Sequence, residues 1–326
     1  MSWTGMRSSP AAGGVGCIVL AAVILALGDG LVKIASAEIS VWQLVFLRAL
    51  VALPLIAIVM ASGASRGRVW PKRVSWVALR SLLLVLMWLL VYLALTRLPL
   101  PVVSAGLYSS PIIIALMVAV RPGRSLSRRE TVGVTLGFAG VLILLRPGGA
   151  AFSPMLLLPL VAAALYAFAA VITASRCREE SPVCLALGMQ LLFLVVGGIG
   201  LVIAPMLAPA GDLGSGVAFL AHGWQAMDIE VFVRLAPLIV GLAVIAVTAS
   251  IAMARAYQMA PAPMVAAGDY SYLAFSGFWS LVLFGQIPDR LAVLGMALIA
   301  LAGIAATRGE RGRHAVNRGR SEPGHR

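Results

Sequence analysis

The chain reads as an all-α polytopic membrane protein of ten transmembrane helices, arranged as two inverted five-helix repeats. Three observations predict this. Of 326 residues, 61% are hydrophobic and only 11% are charged, with a mean hydropathy of +1.00; a soluble domain is roughly a quarter charged. The apolar residues come in continuous runs of about 20, the length a helix needs to cross a bilayer. A β-barrel would alternate instead. The third observation is internal repetition. P-L-P-V-V-S-A-G-L-Y-S at 99–109 returns as P-A-P-M-V-A-A-G-D-Y-S at 261–271. At an offset of 162 residues, Pro99/Pro261, Pro101/Pro263, Val103/Val265, Ala105/Ala267, Gly106/Gly268, Tyr108/Tyr270 and Ser109/Ser271 are identical, and Gly133/Gly295 and Arg146/Arg308 keep the offset. A period of half the chain is too long for a solenoid and fits a duplicated bundle.

Residues 1–13 form a polar leader carrying Arg7. The first span, 14–36, resembles a signal peptide at Ala35-Ser36-Ala37, but Asp29 and Lys33 interrupt it and it is longer than a signal needs. Further spans are expected at 40–62, 74–96, 100–120, 129–146, 154–175, 182–206, 231–256, 262–285 and 288–307. Residues 14–148 then make the first five-span repeat, 149–308 the second, and 309–326 a basic tail with too few apolar residues to fold. Val217–Trp224, in the connection 206–230, is apolar and suits a linker resting on lipid.

The net charge of +13 does not point to nucleic acid, because the positives sit between spans. Arg66, Arg68, Lys72 and Arg73 lie between spans two and three, and Arg121, Arg124, Arg128 and Arg129 between four and five. Arg176 and Arg178 follow span six, and Arg308 and five tail arginines follow span ten; the alternate connections hold only Arg97, Arg146 and Arg290. That alternation predicts a bacterial inner-membrane protein with both termini in the cytoplasm. An odd number of spans per repeat inverts the second copy, and sites in such proteins lie between the halves near the midplane. Cys17, Cys177 and Cys184 have no metal spacing and read as small apolar fillers. No metal and no cofactor is expected.

Ionisable groups at bilayer depth cost about 2.5–3.5 kcal/mol each on insertion scales, so they need a reason. Asp29 and Lys33 stand four apart on one helix face, where they could neutralise each other, or Lys33 could snorkel outward. Arg48 is deeper, with Gln43 one turn outward. It should face the bundle interior and meet Asp29 or a substrate anion. Asp269 lies in the repeated stretch, where its first-half partner is Leu107. Asp269 or Asp29 is therefore a candidate to carry a coupling proton; the structural alternative is a carboxylate held by Tyr270 or Ser271. Trp88, Tyr92, Tyr108, Tyr166, Tyr270 and Tyr272 are candidate cavity walls. Gly133 and Gly137 form a GxxxG helix contact.

The residues G-D-G-L-V-K…W-Q-L-V-F-L-R (Asp29, Lys33, Gln43, Arg48) and G-D-Y-S-Y-L…L-F-G-Q-I-P-D (Gly268 to Asp289) resemble the drug/metabolite transporter superfamily, in particular its ten-span EamA-type members. Pro111 fits the fourth-span proline of that family. The Asp-Lys-Gln-Arg spacing is similar to a subgroup that includes riboflavin and S-adenosylmethionine carriers; other relatives export amino acids or opine-like metallophores. The resemblance implies secondary transport of a small metabolite through a central cavity. In one departure, Arg124 and Gln286 stand where the family has glutamates after Gly123 and Gly285.

No Walker A run is present for ATP to drive the step, and no HExxH, clustered histidines or GxSxG for an enzyme. The partners expected are a small polar or zwitterionic substrate, protons and membrane lipids. A homodimer, a lipid flippase-like activity and a scaffold role stay open at this stage.

Overall fold

The computed structural model describes residues 10–62, 70–119, 154–207 and 228–286, together with positions 132, 135–136, 138–140, 142–143, 222, 224, 289–291, 293–298 and 301. These residues form helices and no strands. In chain order the helices are α1 (Pro10–Ala35), α2 (Val41–Ala61), α3 (Val74–Leu95), α4 (Leu100–Leu107), α5 (Ser110–Ala119), α6 (Leu157–Ser175), α7 (Pro182–Leu207), α8 (Ile229–Met259), α9 (Ala262–Asp269) and α10 (Ser271–Phe284). Among the described residues, six helices are long and apolar enough to cross a membrane: α1, α2, α3, α6 with its leading 3-10 turn, α7 and α8.

Two expected spans need correction. The span at 100–120 is not continuous: α4 stops at Leu107 and α5 begins at Ser110. Pro111 explains the break, since it cannot donate to the carbonyl of Leu107 and its ring crowds that turn. The span at 262–285 is interrupted at Tyr270, where Leu273 N–H bonds back only three residues to the Tyr270 carbonyl, tightening the turn. Both short helices begin after a proline N-cap, Pro99 and Pro261, where a missing N–H costs nothing. Gly285 ends α10 at φ +62, with the N–H groups of Gly285 and Gln286 returning to Leu281 and Ser280; a left-handed cap of this kind favours glycine.

The expected spans at 129–146 and 288–307 fall largely outside the described residues, although the described positions at 132–143 and 290–301 are helical. Gly133, Gly137, Arg124 and the tail lie outside them, as does Val217–Trp224 apart from His222 and Trp224.

Apolar side chains cover the outside of the bundle. Leu50, Ile58, Phe168, Val195, Val202 and Val282 are each half or more exposed or close to it, as lipid contact requires. Inside, small residues bring helices together. The second helices of the two halves, α2 and α7, cross in opposite directions, Trp42 meeting Gly200 and Phe46 meeting Gly197. Helix α1 runs antiparallel to α8, with Gly14 on Ala260 and Gly28 on Ile245. Likewise α3 packs on α6, α1 on α9 and α10, α6 on α4 and α5, α4 on α10, and α5 on α9.

Outside the bundle core, two clasps tie the halves together. Glu180, in the turn between α6 and α7, accepts the backbone N–H groups of Lys72 (3.1 Å) and Arg73 (2.9 Å) just before α3. Elsewhere Arg234, near the start of α8, pairs with Glu38, between α1 and α2, at 2.7 Å.

Candidate functional site

Helices α1, α2, α3, α7 and α8 line a narrow cavity of about 30 Å³. Asp29 and Val32 of α1, Arg48 of α2, Arg80, Trp88 and Tyr92 of α3, Phe193 of α7 and Ser250 of α8 face it. A smaller cavity of about 10 Å³ adjoins it, lined by Tyr108, Tyr166, Asp269 and Tyr272. Leu25, Trp88 and Met253 belong to both walls. The largest recess, between α3 and α7, is almost wholly apolar (Trp70, Val74, Leu187, Leu191, Val195), and offers nothing to orient a polar solute.

Arg48 is 4% exposed. It faces the bundle interior because it follows the buried positions Leu44 and Val45 on one face of α2. One terminal nitrogen donates to the Tyr92 hydroxyl. The guanidinium lies over the rings of Phe193, at 4.5 Å, and Tyr92, at 5.6 Å, a cation–π arrangement that partly replaces lost hydration. Its Nε has no hydrogen-bond partner. Asp29, 3% exposed, accepts a hydrogen bond from Tyr272 of α10. The expected Asp29–Arg48 meeting takes the form of a shared cavity, not an ion pair.

Of the two alternatives for Lys33, the pairing with Asp29 is absent from the structure. Lys33 is half-buried, donates to the carbonyl of Leu98 at 3.2 Å and stands 5.5 Å from the centroid of the Phe284 ring. Four residues place the two on one face, but the bend before α4 offers Lys33 a closer acceptor. Gln43 is fully buried; its N–H is capped by Ser40 Oγ at 3.2 Å, and it faces neither cavity.

Asp269, 2% exposed, ends α9 and accepts two phenolic hydrogen bonds, from Tyr108 (3.2 Å) and Tyr166 (2.8 Å). The hydroxyls of Tyr166 and Tyr257 are 3.2 Å apart. Hydroxyls do hold this carboxylate, as the structural alternative required, but not those of Tyr270 or Ser271. Tyr270 is buried with its ring 6.3 Å from Tyr108 and lines neither cavity. Trp88 and Tyr92 line the larger cavity, and Trp88, Tyr108 and Tyr166 the smaller one.

Three participants escaped the sequence reading. Arg80, 2% exposed, donates from Nε to Thr173 Oγ1 (3.0 Å) and from Nη1 to the Leu185 carbonyl (3.1 Å). It stands only six residues into α3, close to the positive residues Lys72 and Arg73 that precede the helix. Tyr257 and Phe193 were ordinary members of apolar runs. The insertion cost of Arg80 was the one signal available. Among the described residues, no cluster of His, Cys, Asp or Glu could hold a metal.

Residues 12–146 match the EamA-like transporter family. The pseudopaline exporter CntI of Pseudomonas aeruginosa, from strains UCBPP-PA14 and PAO1, is 23% identical over 302 residues, spanning 92% of this chain and 97% of the exporter. A crystal structure of a protein superposes with a TM-score of 0.57 at 21% identity, over 94% of this chain and 98% of that one, a likeness of fold. Residues 12–146 thus form an EamA-like transporter family domain within a multi-pass membrane protein, and both matches point to a transporter rather than an enzyme.

Proposed function

We propose that the chain is a secondary transporter that moves a small polar or zwitterionic metabolite across a bacterial inner membrane by alternating access. Two inverted five-helix repeats, 14–148 and 149–308, rock about the cavity that holds Asp29 and Arg48. The observation that carries the reading is that cavity: a buried carboxylate and a buried guanidinium face one enclosed space between helices of both halves.

The pattern of helix contacts supports the repeats. Exchanging α1–α5 for α6–α10 turns α1 on α8 into α6 on α3, and α4 on α10 into α9 on α5, and all four contacts occur. The paired glycines follow the same exchange: Gly268 packs on Ile18 of α1, and Gly106 on Pro159 of α6. Residues 12–146, the part that matches the family, nearly coincide with the first repeat. The ten-span count and the cytoplasmic placement of both termini rest on the loop charges. Reporter fusions to the two ends should report the same side; opposite sides would refute the inverted arrangement.

The direction favoured is export of an amino-acid-derived metabolite, because the similar full-length relative is an exporter. Coupling is assigned to protons, with Asp29 and Asp269 as carriers, since each is buried and held only by hydroxyl donors. Everted vesicles with an imposed pH gradient test this. Asp29→Asn or Asp269→Asn should lose gradient-driven accumulation and keep solute exchange. Unchanged gradient dependence in both variants would remove protons from the scheme.

A further inference from the structure

The recess between α3 and α7 has about 410 Å³ of space, and the transport scheme makes no use of it. Val74 and Ala78 of α3 and Leu187, Leu191 and Val195 of α7 line it. Val74, Leu191 and Val195 are each exposed to about half their surface, so the recess opens outward toward lipid. An apolar hollow stays dry, since water finds no polar partners there. Within a bilayer, apolar matter fills it instead.

The length of the recess fits one lipid leaflet. Its α7 wall runs from Cys184 to Val195, eleven residues on, which is about 16 Å of helix rise. A hydrocarbon core of about 30 Å gives each leaflet half that depth.

One end of the recess is interfacial and positive. Trp70 and Pro71 line it just ahead of Lys72 and Arg73. Trp70 is 72% exposed, the setting tryptophan favours at a membrane surface. Arg176, at the end of α6, lies over the Trp76 ring of the first turn of α3, 5.0 Å from its centroid. Lys72 pairs with the exposed Glu179 at 3.3 Å, and Glu180 is taken up by the backbone N–H groups of Lys72 and Arg73. Among the described residues, no carboxylate comes within 4.0 Å of the guanidinium of Arg73 or Arg176. With Arg178, four positive groups stand at this end against Glu179 and Glu180. A second copy of the chain fits such a face poorly. A two-fold axis along the membrane normal would set this positive end against itself at one level, like charge facing like.

We propose that the recess binds an anionic phospholipid, with one acyl chain lying between α3 and α7 and the phosphate meeting Arg73 and Arg176. A guanidinium fork binds phosphate oxygens through two donors. The two walls come from different halves of the chain, so a bound acyl chain braces the halves in this arrangement. The site is independent of which solute the protein carries.

The test uses the full-length protein in phosphatidylcholine vesicles carrying a trace of phosphatidylglycerol with a photoreactive acyl chain. A parallel set carries photoreactive phosphatidylcholine with the same chains. After illumination, peptide mass spectrometry should find label on 74–78 and 184–195. The phosphatidylglycerol label there should exceed the phosphatidylcholine label by about fivefold or more. Replacing both arginines, Arg73→Gln with Arg176→Gln, should bring the two lipids level while the chain still labels the recess. Ala78→Trp fills the recess and should reduce both labels by a similar factor. The headgroup comparison in the wild-type protein stands even where a variant fails to fold. Equal labelling by the two lipids, or label confined to other helices, would overturn the assignment. So would chain-to-chain cross-linking through Leu191→Cys with the recess unlabelled, which would give the face to a second copy.

Discussion

Tyr108 and Tyr272 stack with ring centroids 4.8 Å apart, and each donates a hydrogen bond to a different buried carboxylate: Tyr108 to Asp269 and Tyr272 to Asp29. The two rings come from α4 and α10, on opposite halves of the chain. A shift of α10 against α4 therefore disturbs both carboxylate environments together. Tyr108→Leu removes the stack and the hydroxyl; it should show a coupling of about 0.5–1.5 kcal/mol with Asp29→Asn in a double-mutant cycle of thermal stability. Strict additivity would mean that the two sites are independent.

Tyr166→Phe removes the shorter of the two hydrogen bonds to Asp269 and the contact with Tyr257. Intramembrane hydrogen bonds are worth about 1 kcal/mol, so unfolding in detergent should show a loss of that size. The loss should shrink in an Asp269→Leu background, where only the contact with Tyr257 remains to be lost.

Arg48→Ala should abolish transport while insertion and expression stay normal. The side chain is held by one hydroxyl and by ring faces, so its removal leaves few polar groups stranded. Arg48→Lys preserves the charge but not the fork, and its kcat/KM should fall at least tenfold. Wild-type kinetics in either variant would remove Arg48 from the site.

Gly200 tests the packing between halves. A Cβ there would lie 2.1 Å from the indole of Trp42. Gly200→Leu should lower stability by about 1–3 kcal/mol through overpacking, and Trp42→Ala in the same chain should restore part of it. Thermal unfolding of the single and double variants measures both.

Cys177 sits in the turn after α6 and is fully buried. Burial pushes its thiol above the ordinary range, so less of the reactive thiolate is present at neutral pH. Maleimide labelling in the folded protein should therefore be slow, and should accelerate when pH rises or when Glu180→Ala opens the clasp beside it. Mass spectrometry of the labelled peptide reads the rate.

Much of the architecture was legible in the chain because bilayer length and apolar continuity are local properties. The bounds of α2, α3, α6 and α7 follow from where apolar runs begin and end, and Asp29, Arg48 and Asp269 announced themselves by the cost of placing charge among them. The repeat marked α4 and α9 as equivalent, since identical proline, glycine and tyrosine positions recur at one offset. Partnership was not legible. Lys33 lies one turn from Asp29 in sequence, yet its nitrogen goes to Leu98; Asp29 is held instead by Tyr272, 243 residues away. Arg80 was not singled out at all, and its partners come from α6 and α7. A sequence states what each residue costs to bury, through its chemistry and its distance from the span ends. Only the packing of distant helices determines which group offsets that cost, because side chains from different spans meet through contacts that no local pattern encodes.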